Sequence, residues 1–500
     1  MPSEYVEHKL LKSNSIEVRE YQISLASAAK EKNTLIVLPT GLGKTTVALQ
    51  VLLEILSHGT GGILFLAPTK VLVNQHFEFL KKNVLLDDIA IITGEDTLNN
   101  RKKLWINSIV CATPEITRND LERRIVSSTQ FSLVIFDEAH RAVGDYAYTT
   151  IANSFTDSVH FLGMTATLPS DKQKAIEIID SLRIKNILQK TDESPDVKPY
   201  IQETQTEWIN VDLPLELKSI QTCLRLALDE RYSQLRKNGL HLSSENKSLS
   251  ALLRVRQYVL TQNRRSAKPL FTAIRITYAL NILEAHGVTS FLKFCERTQK
   301  KKGAGIKELF EADPNFTRAI HLAKIAQSNG IEHSKIPKLQ EILSSVNDKV
   351  LIFTSYRDSV KVINDTLNEI GIKSEILIGK AGETGLKQEK QIETVQRFRD
   401  GITKVLVATR VGEEGLDISE VNLVIFYDNV PSSIRFIQRK GRTGRKEKGR
   451  LVVLIAKDTI DEVYYWIGKR KIESAKVMGK KLTQKLEKNE ITSESLDGFL

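Results

Sequence analysis

Short apolar runs alternate with longer amphipathic stretches at both ends of this 500-residue chain. The runs occupy residues 35–38, 63–66, 109–111, 133–136 and 160–163, and again 350–353, 376–378, 405–407, 423–427 and 451–455. Runs without polar positions are typical of strands covered on both faces of a parallel sheet. Between the two groups, apolar residues recur at helical spacing, as at Ile220, Leu224 and Leu228. The pattern predicts an α/β protein with two parallel-sheet domains and an inserted all-helical domain.

The predicted boundaries are 1–200 for the first domain, 201–334 for the insertion, 335–468 for the second domain and 469–500 for a basic tail. No apolar run approaches the roughly 18–20 residues that cross a bilayer. The first residues lack a basic segment followed by an apolar core, so we expect no secretory signal. Cys111, Cys223 and Cys295 are widely spaced, which excludes a disulfide framework or a zinc module. A reducing cytoplasm is the expected location.

The positive charge is concentrated in the insertion. The whole chain has 72 Lys and Arg against 61 Asp and Glu, and residues 213–340 alone contain 22 basic and 10 acidic residues. Residues 231–275 contain ten basic residues and one acid, Glu245. A solvated helical face is one interpretation, but this imbalance favours a surface that follows nucleic-acid phosphates. The candidate contacts are Arg254, Arg256, Arg264 and Arg265.

A glycine-rich loop, PTGLGKT at residues 39–45, follows the first apolar run and precedes a helical stretch. Glycines let backbone N–H groups surround phosphate oxygens, and the helix N-terminus adds its positive dipole end. We expect Lys44 to reach the β- and γ-phosphates and Thr45 to ligate Mg²⁺. Leu38 replaces the first glycine of the strict consensus. ATP and Mg²⁺ are the predicted cofactors, and the other loop contacts are Thr40, Gly41 and Gly43.

Asp137 and Glu138 follow the run at 133–136. Asp137 is expected to hold the metal through water, and Glu138 to orient and deprotonate the attacking water. In the segment QRKGRTGR at 438–445, Arg439, Arg442 and Arg445 recur every third residue. We expect them to share a helix face and to reach the γ-phosphate across a cleft as arginine fingers, with a basic surface helix as the alternative. Gln438 opens this motif.

These motifs together resemble those of superfamily 2 helicases, in the expected order over both outer domains. The resemblance implies two RecA-like domains and an ATPase driven by nucleic acid. Arg19 and Gln22 resemble adenine-reading residues, and Gly415 and Asp417 residues near the ribose. Thr165-Ala-Thr167 resembles the motif that couples hydrolysis to movement. The implied strand contacts are Pro68, Thr69, Lys70, Gln75, Gly94, Thr113, Thr354 and Thr409.

The segments 137–148, 194–200 and 430–438 resemble the archaeal Hef helicases, which are similar to the Fanconi anaemia group M family of DNA translocases. This resemblance implies a thumb-like insertion and a helicase or translocase that acts on branched DNA in replication-fork repair, near the nucleoid of an archaeal cell. We find no ERKxxxD nuclease signature, so a separate nuclease is an expected partner. Single- and double-stranded DNA are the other expected ligands.

The last residues suggest one more partner. Residues 469–488 contain eight basic residues, and Leu496, Phe499 and Leu500 are spaced as in the sliding-clamp-binding pattern Q-x-x-L-x-x-F-F. Ser493 replaces Gln and Leu500 replaces the last aromatic residue, so incidental apolar residues at a chain end are an equal alternative.

Two other functions stay open. One is a translocase driven by double-stranded RNA. The other is a non-hydrolysing scaffold that is tethered to a clamp and recruits a nuclease.

Overall fold

The structure is a computed structural model and describes residues 4–59, 61–202, 204–242, 248–303, 305–380, 385–413, 418, 421–443 and 449–487. Gly415, Asp417, Arg445 and the candidate clamp-binding residues 493–500 lie outside these ranges.

The first domain is a seven-stranded parallel sheet flanked by helices. Its strands are β1 (Thr34–Val37), β2 (Gly62–Leu66), β3 (Ile89–Ile92), β4 (Ile109–Ala112), β5 (Phe131–Phe136), β6 (His160–Thr165) and β7 (Asn186–Gln189). Their order is β3-β4-β2-β5-β6-β1-β7. The helices are α1 (Glu20–Ala29), α2 (Lys44–His58), α3 (Lys70–Asn83), α4 (Leu98–Leu104), α5 (Pro114–Glu122), α6 (Ala147–Asn153) and α7 (Lys172–Ser181).

The chain then forms strand β8 (Thr204–Val211) and the helical insertion. The insertion contains α8 (Leu215–Lys237), α9 (Leu249–Arg254), α10 (Arg256–Gln262), α11 (Ala267–His286), α12 (Val288–Gln299), α13 (Ile306–Glu311) and α14 (Pro314–Ser328). Its long helices α11 and α14 both pack on α8, around a shared apolar core.

The second domain contains α15 (Lys335–Ser344), β9 (Val350–Phe353), α16 (Arg357–Glu369), β10 (Ser374–Leu377), α17 (Gln388–Arg399), β11 (Val405–Ala408), β12 (Leu423–Phe426), α18 (Ser433–Lys440), β13 (Gly449–Ala456) and α19 (Ile460–Glu487). Its strand order is β10-β11-β9-β12-β13-β8, and all neighbours are parallel. Short 3₁₀ turns occur at Ser128–Gln130, Ala139–Arg141, Lys198–Tyr200, Arg264–Ser266 and Arg410–Gly412.

Every apolar run that predicted a strand lies on one, and the parallel arrangement is confirmed. The strands that the pattern did not predict, β3, β7 and β8, are all at sheet edges. An edge strand is less covered and needs fewer apolar positions, which accounts for the polar residues of β7 and β8, whereas β3 is apolar throughout. The buried and exposed positions of β8 alternate irregularly, and Trp208 is half exposed.

Two predicted boundaries differ from the structure. Strand β8 falls within the predicted insertion, but it pairs with β13 along its whole length, so the second domain contains two distant chain segments. Residues 469–487, predicted to be a tail, instead continue α19, a helix of 28 residues. This helix leaves the second domain and docks on the first, where Leu482 enters the core and Lys476 Nζ lies 3.1 Å from Glu193 Oε1.

A buried polar network anchors the insertion to the second domain. Lys335, at the start of α15 in the second domain, is fully buried, and its Nζ donates to Asp461 Oδ2 at 2.8 Å and, in the insertion, to the carbonyl of Ala285 at 3.4 Å. At the end of α11, Glu284 Oε2 accepts from the backbone N–H of Ile460 at 2.7 Å. Because a buried charge is stable only when it is paired and hydrogen-bonded, these contacts define the position of the insertion on the second domain.

The three cysteines are buried and free. None of the described helices combines the length and apolar character that crossing a membrane requires.

Candidate active site and nucleic-acid interface

The glycine-rich loop joins the buried strand β1 to α2. Gly41 and Gly43 have φ angles of +87° and +78°, in the left-handed region that favours glycine. A Cβ on Gly43 would lie 2.3 Å from Gln22 Nε2, so a side chain there cannot fit without movement. Lys44 begins α2, and its Nζ donates to the carbonyl of Leu38 at 3.2 Å. The loop therefore presents backbone N–H groups and a helix N-terminus to one cradle, which fits a phosphate chain.

Of the two candidate adenine-reading residues, Gln22 lies beside this loop. Gln22 is buried, and its Nε2 donates to the carbonyl of Leu42 at 3.1 Å. Tyr21 OH donates to the same carbonyl at 2.8 Å. The Arg19 guanidinium lies 5.3 Å from the centre of the Tyr200 ring. Gln22 thus braces the phosphate loop, a role that the sequence did not indicate.

Asp137 and Glu138 lie at the carboxyl end of β5. Asp137 Oδ2 accepts from His76 Nε2 at 2.8 Å, and Oδ1 accepts from the Glu138 N–H at 3.0 Å. Burial opposes ionisation of Asp137, but the His76 hydrogen bond and the charges of His76 and Lys44 outweigh it and lower the pKa. Sequence reasoning missed His76, and its one signal was a histidine on the buried face of α3.

Glu138 has φ +50°, an unusual angle for a residue other than glycine. Its Oε2 is buried and has no hydrogen-bond donor among the described residues. That atom lies 3.2 Å from His140 Nδ1, but the histidine nitrogen forms its hydrogen bond with Thr165 Oγ1, at 3.1 Å. Thr165 Oγ1 in turn donates to the carbonyl of Thr167 at 2.9 Å. A carboxylate oxygen without a donor is suited to accepting a proton from water. His140 lies between this Glu138 oxygen and Thr165, so it connects the carboxylate to the 165–167 motif.

The second domain supplies Gln438 and Arg442 to the opposite wall. Both line a cleft of about 1170 Å³ that also contains Lys44, Thr45, Asp137 and Glu138. The Arg442 guanidinium donates to the carbonyl of Glu413 at 2.8 Å. Thr45 and Asp137 offer hard oxygen donors, which Mg²⁺ prefers, so the residues fit an ATP·Mg²⁺ site between the domains.

Arg439 does not share the cleft, contrary to the expectation of a common arginine face. Helix α18 ends at Lys440 with Gly441 as its cap, so Arg439 and Arg442 are not on one helix. Arg439 is fully buried, and its Nε donates to Glu413 Oε1 at 2.6 Å. Burial opposes ionisation of Glu413, but Arg439 and Arg435 hold its pKa below the usual range. Arg439 is therefore a structural ion-pair partner.

The candidate strand contacts of the first domain lie at loop and helix ends. Thr69 caps α3 by accepting from the N–H of Leu72 at 3.3 Å. Lys70 forms an ion pair with Glu95, and Lys70 and Gln75 both line the interdomain cleft. Pro68 is half-buried, Gly94 is exposed, and Thr113 precedes α5.

In the second domain, Thr354 and Thr409 are buried, and Thr354 is completely so. The Thr354 side chain does not reach a surface in this arrangement, so the structure does not place it as a direct strand contact, whereas Thr409 keeps 7% of its surface exposed. Thr354 comes directly after the buried strand β9, and Thr409 directly after the buried strand β11, so each lies at the buried end of its strand.

On the insertion, Arg254, Arg256, Arg264 and Arg265 are all exposed, and residues 248–275 contain no Asp or Glu. Not all of the basic segment is available, because Arg231 is buried against Asp313. The exposed arginines share their segment with apolar side chains that are 41–53% exposed. These are Leu253, Tyr258 and Leu260. Basic side chains and an exposed aromatic ring, Tyr258, on one segment suit a nucleic-acid partner, because cations pair with phosphates and bases stack on rings.

Comparison with known proteins identifies the class. A DEAD/DEAH box helicase model matches residues 19–176, and a helicase conserved C-terminal domain model matches residues 334–447. The chain belongs to the superfamily 2 helicases, and it carries the domains of a nucleic-acid-dependent ATPase. The residues that line the cleft all lie within these two matched segments.

The more particular family is that of the Hef helicases. The crystal structure of the Pyrococcus furiosus Hef helicase domain matches with a TM-score of 0.69 and 37% identity, over 91% of this chain and 99% of that one. The Methanocaldococcus jannaschii protein MJ1505, named as an ATP-dependent RNA helicase, is 36% identical over 92% of this chain and 60% of its own length. The Gallus gallus Fanconi anemia group M protein is 32% identical over 89% of this chain and 25% of its own. The chain thus spans less than two thirds of either of these two full-length relatives.

Proposed function

We propose that this chain is an ATP-dependent DNA helicase or translocase that acts on branched DNA, such as stalled forks and junctions, in replication-fork repair. The observation that carries the proposal is the exposed, acid-free arginine segment on an insertion anchored to one wall of the ATP cleft. The likeness to the Pyricularia oryzae protein named as the ATP-dependent DNA helicase MPH1, which is 32% identical over 89% of this chain and 44% of its own length, supports DNA as the substrate.

The two domains contribute different groups to the proposed ATP site. The glycine-rich loop and Lys44 bind the phosphates, and Thr45 and Asp137 would hold Mg²⁺, which neutralises charge on the phosphates. Glu138 orients water and accepts its proton. Arg442 approaches from the second domain, so the site is complete only when the domains are together. Opening and closing would then shift the second domain, with the insertion, along the nucleic acid.

The first experiment measures ATP turnover with fork DNA, a Holliday junction, single-stranded DNA and duplex RNA. We expect forks or junctions to stimulate the wild type most. Lys44→Ala, Glu138→Gln and Arg442→Ala should each abolish stimulated turnover. If all three variants retain it, the assignment of the site is wrong.

A second experiment isolates the insertion. Replacing its four exposed arginines with Gln should weaken fork binding and reduce the slope of log K against log[salt] by about 0.9 for each phosphate that is no longer neutralised. Basal ATP turnover should not change. A matched control neutralises four exposed lysines of the first domain, namely Lys32, Lys172, Lys174 and Lys185. Equal losses in both variants would contradict a specific role for the insertion.

A double-stranded-RNA-dependent ATPase is the second candidate, supported by the RNA helicase name of the M. jannaschii relative. Stimulation by duplex RNA without stimulation by DNA junctions would favour it. A chain that hydrolyses no ATP with any nucleic acid would instead be a scaffold.

The partner proposals need separate tests. We propose a sliding clamp bound through residues 493–500 and a separate nuclease, both at the nucleoid. Loss of clamp binding after Phe499→Ala, with DNA-stimulated turnover retained, would support the first. A clamp that binds neither form would contradict it.

A further inference from the structure

His76 lies on the helix that carries candidate strand contacts and forms a hydrogen bond with Asp137 of the candidate ATP site. It lies on the buried face of α3 with Val73, Leu80 and Asn83, and its ring packs on Phe65 with the ring centres 4.3 Å apart. Its Nε2 donates to Asp137 Oδ2 at 2.8 Å. The other carboxylate oxygen of Asp137 accepts a backbone N–H. Both oxygens thus have a donor, and the carboxylate is held in one orientation.

The N-terminal end of α3 carries candidate strand contacts. Thr69 caps the helix, and Lys70 begins it and pairs with Glu95 across the cleft rim. His76 follows Lys70 by six residues, which is about 9 Å along a helix axis. A strand that displaced the first turn of α3 together with the rest of the helix would also displace His76, and with it the hydrogen bond to Asp137.

We propose that His76 is a positioning residue that orients the Asp137 carboxylate for metal binding and couples strand binding at the start of α3 to ATP hydrolysis. The inference rests on the proposed function. The competing explanation is a core histidine whose ring simply packs on Phe65. In that case an apolar side chain of similar size would replace it without effect on the ATP site.

The test separates the hydrogen bond from the packing. In His76→Gln, the side-chain amide is the same number of bonds from Cβ as Nε2 and can still donate to Asp137. His76→Leu keeps an apolar contact and removes the donor. Val73→Ala is the matched control, because it loosens the same face of α3 without touching Asp137. For each variant we would measure Mg²⁺-dependent binding of a fluorescent ATP analogue, and ATP turnover with and without fork DNA.

In His76→Leu we expect the Mg²⁺ concentration for half-maximal nucleotide binding to rise about 10- to 100-fold, as when other metal ligands lose a supporting partner. The ratio of stimulated to basal turnover should fall towards one. His76→Gln should recover most of both, and Val73→Ala should lower only thermal stability.

Wild-type Mg²⁺ dependence and stimulation in His76→Leu would overturn the inference, as would equal defects in the Gln and Leu variants. These results differ from a failure of the proposed function, in which no nucleic acid stimulates even the wild type.

Discussion

Gly441 of the second domain lies close against Thr40 of the phosphate loop. A Cβ on this residue would lie 1.6 Å from Thr40 Oγ1 and 2.8 Å from Thr40 Cβ, whereas ordinary contact begins at 3.4 Å. Gly441→Ala therefore forces the domains apart by roughly 1.8 Å, or by roughly 0.6 Å if the Thr40 hydroxyl rotates away. Arg442 is the next residue and moves with it.

A displacement of about 1 Å at a catalytic group can cost about 100-fold in rate, so we expect kcat of Gly441→Ala to fall about 10- to 100-fold. ATP affinity should change little, because Lys44 and the glycine-rich loop belong to the first domain alone. Steady-state ATP turnover and equilibrium binding of a fluorescent ATP analogue measure the two effects separately.

Removing the obstructing atoms provides the decisive comparison. In the double variant Gly441→Ala with Thr40→Gly, turnover should recover towards that of Thr40→Gly alone. Gly94→Ala is the steric control for basal turnover, since nothing lies within 4 Å of a Cβ there. A Gly441→Ala protein with kcat within about twofold of wild type, and no coupling to Thr40, would refute the contact as part of the hydrolytic state.

Three further predictions concern stability and reactivity. Leu482→Ala should weaken docking of α19 on the first domain by about 2–5 kcal/mol, seen as faster hydrogen exchange at the end of α19, whereas Val477→Ala on the exposed side should have little effect. Burial lowers the pKa of His286 and of His333 to about 3, so the unfolded chain binds more protons than the folded one below about pH 6.5. Stability should therefore be full above that pH and fall by about 1.4 kcal/mol per pH unit for each histidine as the pH drops towards 3. Urea midpoints at pH 7 and pH 5.5 test this, and a His286→Phe variant that keeps the full wild-type pH dependence would contradict it. Burial also raises the pKa of the Cys111 thiol, so a thiol reagent should leave it unmodified until the chain unfolds.

Much of the fold and half of the site could be predicted from the sequence because they depend on local patterns. A strand buried on both faces must be apolar throughout, and a phosphate loop needs glycines between a strand and a helix. For this reason Lys44, Thr45, Asp137 and Glu138 could be assigned from their neighbours in the chain, and the structure brings them into one cleft.

Other features depend on contacts between distant segments, which no local period encodes. Strand β8 pairs with β13, some 245 residues further along the chain, and the charge of Arg231 does not reach the surface because Asp313 lies against it. In the sequence, His76 cannot be distinguished from an ordinary core residue, and only the folded structure shows its hydrogen bond to Asp137. The directions of the arginines in the 438–445 motif also depend on tertiary contacts. Equal spacing suggested one face, but α18 ends between Arg439 and Arg442, so Arg439 turns inward to Glu413 and Arg442 faces the cleft. The sequence determined which chemical groups are present. Tertiary packing decided which charged groups can contact a ligand, because a buried charge is paired within the protein unless it faces a binding site.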